Sequence, residues 1–140
     1  MKTKSISDYS LFVEAWIYLS LSKLLIVFFP FKKIASLIGE PQVETVKEVI
    51  DLTIINDIEI SMIRAIKYTI FSSKCYEQAL AITFMLKRRR ISSTIYFGLY
   101  KESEQLLAHA WVRCGDKIVT GKLRHEKFTP VAWFGSYNLI

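Results

Sequence analysis

The chain has 140 residues, the length of one domain: enough to bury a core, and short for two. A 51% hydrophobic and 14% aromatic composition excludes a disordered chain. The net charge of +6 admits nucleic acid, anionic lipid or an acidic protein as partner. Nucleic acid is the least supported of these and is not expected, because the basic residues are scattered apart from Lys87-Arg88-Arg89-Arg90 and no binding motif accompanies them.

From Met1 to Ser10 the chain is polar, and no small-residue cleavage site follows the first apolar run, so no secretory signal is read and a reducing, cytoplasmic setting is expected. Leu11 to Phe31 is the most apolar stretch. Leu11, Phe12, Ala15, Trp16, Leu19 and Leu24 follow helical spacing, while Ile17, Tyr18, Leu21, Leu25 and Ile26 make the helix apolar nearly all round. Glu14 and Lys23 argue for a packed helix over a membrane span, and membrane contact is not expected. With Phe28, Phe29 and Phe31, this helix is the stretch expected to meet a partner.

Pro30 ends that helix, and Gly39-Glu40-Pro41 punctuates the short segment after it. The spacing of Val43, Val46, Val49 and Ile50 predicts a helix over Gln42 to Leu52, and Asn56 or Asp57 caps a further one running to Phe71. After Ser72 and Ser73, which suit a helix N-cap, Ala79, Leu80, Ile82, Thr83 and Leu86 predict a third as far as Arg90. Its cationic end reads as a solvated terminus in preference to a docking patch. Strands follow over Ser92 to Tyr100, Leu106 to Cys114, Lys117 to Lys122 and Phe128 to Phe134, with a Gly115-Asp116 turn closing a hairpin. Helices first and antiparallel strands after predict one α+β domain, helical over 1–71 with a catalytic core over 72–140.

Cys75 falls in the first turn of its helix. The positive end of the dipole and the free amides there favour a thiolate and can hold an oxyanion. Lys74 adds positive charge. His109, on a strand, is the side chain whose ordinary pKa suits proton transfer near neutrality. Helix-borne cysteine and strand-borne histidine form a cysteine-hydrolase arrangement of nucleophile and base. Cys75, His109, Cys114 and His125 also supply two sulfurs and two ring nitrogens, but no pair has the short spacing of structural zinc sites, and no metal is expected. His125, in Arg124-His125-Glu126-Lys127, reads as a solvated loop residue. With no P-loop or dinucleotide fingerprint, no cofactor is expected either.

Cys75-Tyr76-Glu77-Gln78-Ala79-Leu80-Ala81, the basic end Lys87-Arg88-Arg89-Arg90-Ile91, the strand Thr94-Ile95-Tyr96-Phe97-Gly98-Leu99 and Ala108-His109-Ala110-Trp111-Val112 together resemble one family. It is the transglutaminase-like leader peptidase of lasso peptide biosynthesis, in the form that stands alone as the peptidase half of a split B protein. Glu14-Ala15, Leu24 to Ala35 and Leu37-Ile38-Gly39 are similar to that family's opening helix and its exit, so the resemblance covers nearly the whole chain. It implies a papain-like core with the cysteine helix packed on the sheet that carries the histidine. It also implies a cytoplasmic cysteine protease that removes the leader from a ribosomally made precursor, with preference for a threonine just upstream of the cut. The implied partners are the leader peptide, a separate small leader-binding protein and an ATP-using cyclase that closes the ring on the freed core.

The resemblance implies an acid on the return strand of the hairpin, where this chain has Thr120 and Gly121. A two-residue turn would pair Trp111 with Thr120 and set Thr120 diagonally from His109; one more residue would bring Gly121 there. Thr120, Asp116, Glu126, Asn138, a backbone carbonyl or a water are all open for the third role. Two rivals stand beside the protease: a peptide-binding protein of the same fold that has lost catalysis, and a membrane-associated accessory protein driven by Leu11 to Phe31. Transamidation, the superfamily's other chemistry, differs only in delivering the acyl group to an amine.

Overall fold

Pro30 divides the N-terminal apolar run into two helices, because its ring fixes φ and it has no N–H to continue a helical ladder. They are α1 (Ile6–Phe28) and α2 (Phe31–Ile38) in the computed structural model, which describes residues 6–45, 52–69, 74–122 and 125–136. Gly39 closes α2 at φ +136°, with Gly135 O 2.5 Å from where a Cβ would stand, so only glycine lets the chain turn into the sheet here. Strand β1 (Glu40–Pro41) follows, then α3 (Leu52–Lys67), α4 (Cys75–Arg88), β2 (Ser93–Glu102), β3 (Gln105–Cys114), β4 (Lys117–Thr120), a 3₁₀ turn (His125–Lys127) and β5 (Thr129–Ser136). The strands form one antiparallel sheet in the order β1-β5-β2-β3-β4. The chain is therefore α+β, as its sequence predicts.

The helix predicted over Gln42 to Leu52 is not formed in the part described. Gln42 takes a left-handed φ of +58°, and its N–H donates to Trp133 O at 2.7 Å, prolonging the β1–β5 ladder. Thr45 N–H donates to Thr94 Oγ1 at 2.9 Å, so tertiary hydrogen bonds hold this segment extended against its helical spacing. Residues 46–51 lie outside the described part. Ile54 and Ile55 belong to α3, which starts before Asn56 and ends at Lys67.

Helix α4 runs through the middle of the core. Leu80, Ile82, Met85 and Leu86 are fully buried between Leu11, Ala15 and Leu19 of α1, Ile55, Ile58 and Met62 of α3, and Ile95, Ala110, Val112 and Val119 of the sheet. Burial of each such side chain is worth about 2 kcal/mol. The cationic end of α4 is a fastening more than a solvated terminus: Arg88 and Arg89 both pair with the buried Glu14 carboxylate of α1, and Lys87 Nζ donates to Leu37 O at 2.7 Å. The far side of the sheet is covered by Thr45, the 3₁₀ turn and Phe128, which pack around Arg113, Trp111 and His109.

Candidate active site

Cys75 is the first residue of α4, with Lys74 at the N-cap. Ser72 and Ser73, read as caps, lie outside the described residues. The capping carboxylate is Glu77, three residues into the helix, which accepts the Lys74 N–H. Glu77 is itself buried and bridged to Lys23 Nζ of α1 at 3.2 Å, so the head of α4 is tied to α1. Helical geometry leaves the first amides of α4 without intrahelical acceptors, and Cys75 sits partly exposed among them. Those amides can hold an oxygen that develops negative charge beside the sulfur.

Tyr76, next to the cysteine, anchors the helix head in an aromatic cluster, its ring 5.3 Å from Phe97 and 6.4 Å from Phe31. Its hydroxyl is buried with no hydrogen-bond partner among the described residues, and burial pushes the phenol to about 12.

His109 lies on β3, and its Nε2 is 2.7 Å from the carbonyl oxygen of Gly121. A carbonyl only accepts, so Nε2 carries the proton and Nδ1 of the neutral ring is the free base. A β-bulge creates this contact. The hairpin turn has two residues, with Cys114 opposite Lys117, but the register slips between Arg113 and Val112, so that Val112 faces Thr120. One inserted residue moves Gly121, not Thr120, into the position diagonal to His109. Gly121 then turns away at φ +77°, its would-be Cβ 2.5 Å from Ala110 O. A side chain there meets main chain at once; the acceptor offered to the imidazole is the backbone itself. Phe128 closes over the ring at 5.0 Å, and Trp111 stacks at 5.7 Å.

The structure brings His109 to Gly121 and does not join it to Cys75. Strand alternation puts Ala110, Val112 and Cys114 on the α4 side of β3, and His109, Trp111 and Arg113 on the other. Among the described residues no hydrogen bond links Cys75 Sγ to the imidazole. Near the end of β4, Gly121 shares a groove of about 290 Å³ with Gln78, one helical turn beyond Cys75. Ile63, Ile66 and Ile82 line its apolar wall. A larger hollow of about 510 Å³, between Tyr9, Phe12, Arg64 and Tyr68, is lined by neither Cys75 nor His109.

The other two members of the imagined zinc set are elsewhere. Cys114 is buried in the core, its thiol donating to Ser92 O at 3.3 Å, and burial pushes that thiol to about 11. His125 packs its ring on Trp111, with Nδ1 at 2.6 Å from Lys122 O. Among the described residues, no three His, Cys, Asp or Glu side chains converge on a metal-sized space. Both cysteines are free thiols.

A family model described as the transglutaminase-like superfamily matches residues 30–132. The chain belongs to that superfamily. The matched stretch takes in α4 with Cys75, β3 with His109, and Gly121, and leaves all of α1 outside. Transglutaminase-like proteins generally include cysteine peptidases, and the cysteine helix packed on an antiparallel sheet is their arrangement. No curated protein and no solved structure matches the chain.

Two features of the site escaped the sequence reading. Glu77 carried a signal, a carboxylate at the third helical position, where it caps. The bulge carried less: Thr120-Gly121 marks a chain about to leave a strand, but nothing local says that Val119 is the extra residue opposite Val112 and Arg113.

Proposed function

We propose that the chain is a cysteine peptidase with Cys75 as nucleophile and His109 as proton carrier, removing the leader from a lasso peptide precursor presented by a separate leader-binding protein. The observation that carries this reading is the position of Cys75 at the head of α4 in a transglutaminase-like core whose histidine already has its Nε2 proton bound by Gly121. With Nε2 so held, Nδ1 is the atom that takes the thiol proton. The thiolate adds to the scissile carbonyl carbon; the oxyanion is held by first-turn amides of α4. His109 returns the proton to the departing amine nitrogen as the C–N bond breaks, leaving a thioester on Cys75. Water, deprotonated by the same ring, then adds to the thioester, releasing the leader carboxylate and restoring the thiol. A neutral carbonyl stabilises imidazolium less than a carboxylate does, so turnover is slower than with the acid that the resemblance implies.

The groove that holds Gln78, of the cysteine helix, and Gly121, whose carbonyl meets His109, has an apolar wall that suits a peptide with apolar side chains. Both thiols are free, which suits a reducing cytoplasm. Leader recognition rests with the partner protein, and ring closure with an ATP-using cyclase acting on the freed core.

The test is mass spectrometry of the precursor after incubation with this chain and its leader-binding partner under reducing conditions. A single cut that needs no ATP is expected from the wild type, with none from Cys75→Ala or His109→Ala. A second reading, a peptide-binding protein that has lost catalysis, is favoured by the missing carboxylate and by the separation of Cys75 from His109. Under it the wild type leaves the precursor intact, and Cys75→Ala binds leader as tightly as the wild type.

A further inference from the structure

Helix α1 has two apolar faces and the fold uses one. Leu11, Ala15, Leu19 and Ser22 point into the core, whereas Tyr9, Val13, Ile17, Leu21, Leu24 and Phe28 recur at helical spacing along the opposite side, from 45% exposed at Ile17 to 71% at Phe28. Val27, Phe29 and Phe31 widen the stripe at its C-terminal end, where Lys32 and Lys33 stand exposed and Lys33 Nζ lies 6.0 Å from the Phe29 ring centre. The helix spans about 34 Å at the usual rise. A continuous apolar surface of that length on one side of a small protein marks an interaction site.

Charge identifies the occupant. From Ala15 to Gly39 the sequence carries three lysines and no carboxylate, and Glu14, just before, is taken up by Arg88 and Arg89. An apolar stripe ending in exposed phenylalanines and lysines, with no acidic residue along it, complements a surface that is apolar inside and anionic at its rim, which is a membrane of acidic phospholipid. Seating is parallel to that surface. Asp8–Phe28 is long and apolar enough to cross a bilayer by length and composition, with mean hydropathy 1.8, but its other face is locked in the core and fastened by the Glu14 and Lys23 ion pairs, so spanning would require unfolding the domain. The α1 part of the stripe lies ahead of the stretch that matches the transglutaminase-like superfamily, while Phe31, Lys32 and Lys33 lie within it.

We propose that the outer face of α1 docks the folded protein on anionic phospholipid, with Leu21, Leu24 and Phe28 in the acyl boundary and Lys32 and Lys33 at the headgroups. This holds independently of the peptidase reading. The test is co-sedimentation of the full chain with phosphatidylglycerol vesicles and with phosphatidylcholine vesicles. The wild type is expected to sediment with the first at least tenfold more than with the second and to be released by high salt. Leu24→Glu/Phe28→Glu, on the exposed side and therefore leaving circular dichroism unchanged, is expected to remain in the supernatant, and Lys32→Glu/Lys33→Glu to lose several-fold binding. A Leu106→Ser control, at the exposed tip of the β2–β3 hairpin, should bind as the wild type does. The proposal is overturned if the wild type ignores phosphatidylglycerol, if both double variants bind unchanged, or if light scattering finds a dimer that Leu24→Glu/Phe28→Glu dissociates, which would make a second copy the occupant.

Discussion

The two faces of β3 divide the work of the molecule between them. Toward α4 the strand presents Ala110, Val112 and Cys114, all buried, where the Cys114 thiol donates to Ser92 O. Away from α4 it presents His109, Trp111 and Arg113, each engaged in a specific contact: His109 with Gly121 O, Trp111 stacked on Tyr96 at 5.4 Å, and Arg113 in a fan of hydrogen bonds. The first face stabilises by volume and by excluding water; the second specifies geometry, because each of its groups has a partner that must be in place. Core-facing positions should therefore tolerate swaps of similar volume at a cost under about 1.5 kcal/mol. On the polar face the buried Trp111 and Arg113 should not tolerate loss of a partner.

Arg113 gives the largest expected contrast. It is 6% exposed and donates to Tyr96 Oη at 3.1 Å, Thr45 O at 2.6 Å and Gly115 O at 2.7 Å. Arg113→Ala strands the carbonyls of Thr45 and Gly115 and leaves the Tyr96 phenol with Glu44 alone, at a cost of about 3 kcal/mol. A urea titration monitored by Trp fluorescence should show the midpoint falling accordingly, whereas the volume-conserving Leu80→Met in the apolar core moves it far less.

Gly121 comes next. Ala at φ +77° is strained, and its Cβ meets Ala110 O at 2.5 Å, so Gly121→Ala should cost about 2 kcal/mol and tilt the carbonyl that His109 uses. The imidazole reports this directly: nitrogen chemical shifts of His109 should show the Nε2–H tautomer in the wild type and a mixture in the variant. A variant that loses stability but keeps the pure tautomer would mean that Gly121 shapes the hairpin without orienting the ring.

These two positions also mark how far the sequence could be read. The helix–strand order, the Pro30 break, the Gly115-Asp116 hairpin and the buried set on α4 follow from local spacing, because periodicity and turn chemistry are local properties. Gln42–Thr45 misled, since valines at helical spacing are equally good strand formers and hydrogen bonds to Trp133 and Thr94, far along the chain, decide the matter. At the site, Cys75 was placed at a helix head by its neighbours alone, and a backbone carbonyl was among the open choices for the third role. Which carbonyl depended on a one-residue bulge, and the face of β3 on which His109 would stand relative to α4 depended on packing that no local pattern encodes.

The apolar face has its own titration. Burial holds the Cys114 thiol near 11 instead of 9.0 and the Tyr76 phenol near 12 instead of 10.0. Below pH 9 folded and unfolded chains both keep the thiol proton, so its full contribution is present. Between pH 9 and 11 the unfolded chain releases that proton and the folded chain does not, so stability falls as pH rises through this window. Urea midpoints at pH 8 and pH 11 should differ by about 1–2 kcal/mol more in the wild type than in Cys114→Ala. The same burial predicts that iodoacetamide at pH 8 labels Cys75 in the folded protein and reaches Cys114 only in urea, which peptide mapping would read.

The smallest effect concerns the second histidine of the polar face. His125 lies with its ring 5.8 Å from Trp111 but outside the strand, and its Nδ1 contact with Lys122 O closes the local 3₁₀ turn. It covers the tryptophan from the solvent side, and surface substitutions of this kind stay within about 0.5 kcal/mol. His125→Ala should therefore leave the urea midpoint and the rate of precursor cleavage almost unchanged, while His109→Ala leaves the fold intact and abolishes cleavage. The two imidazoles flank the same indole, so the pair separates proximity to Trp111 from possession of a fixed, free Nδ1. Equal loss of cleavage in both variants would show that this face contributes its aromatic packing alone, and would remove His109 from the chemistry.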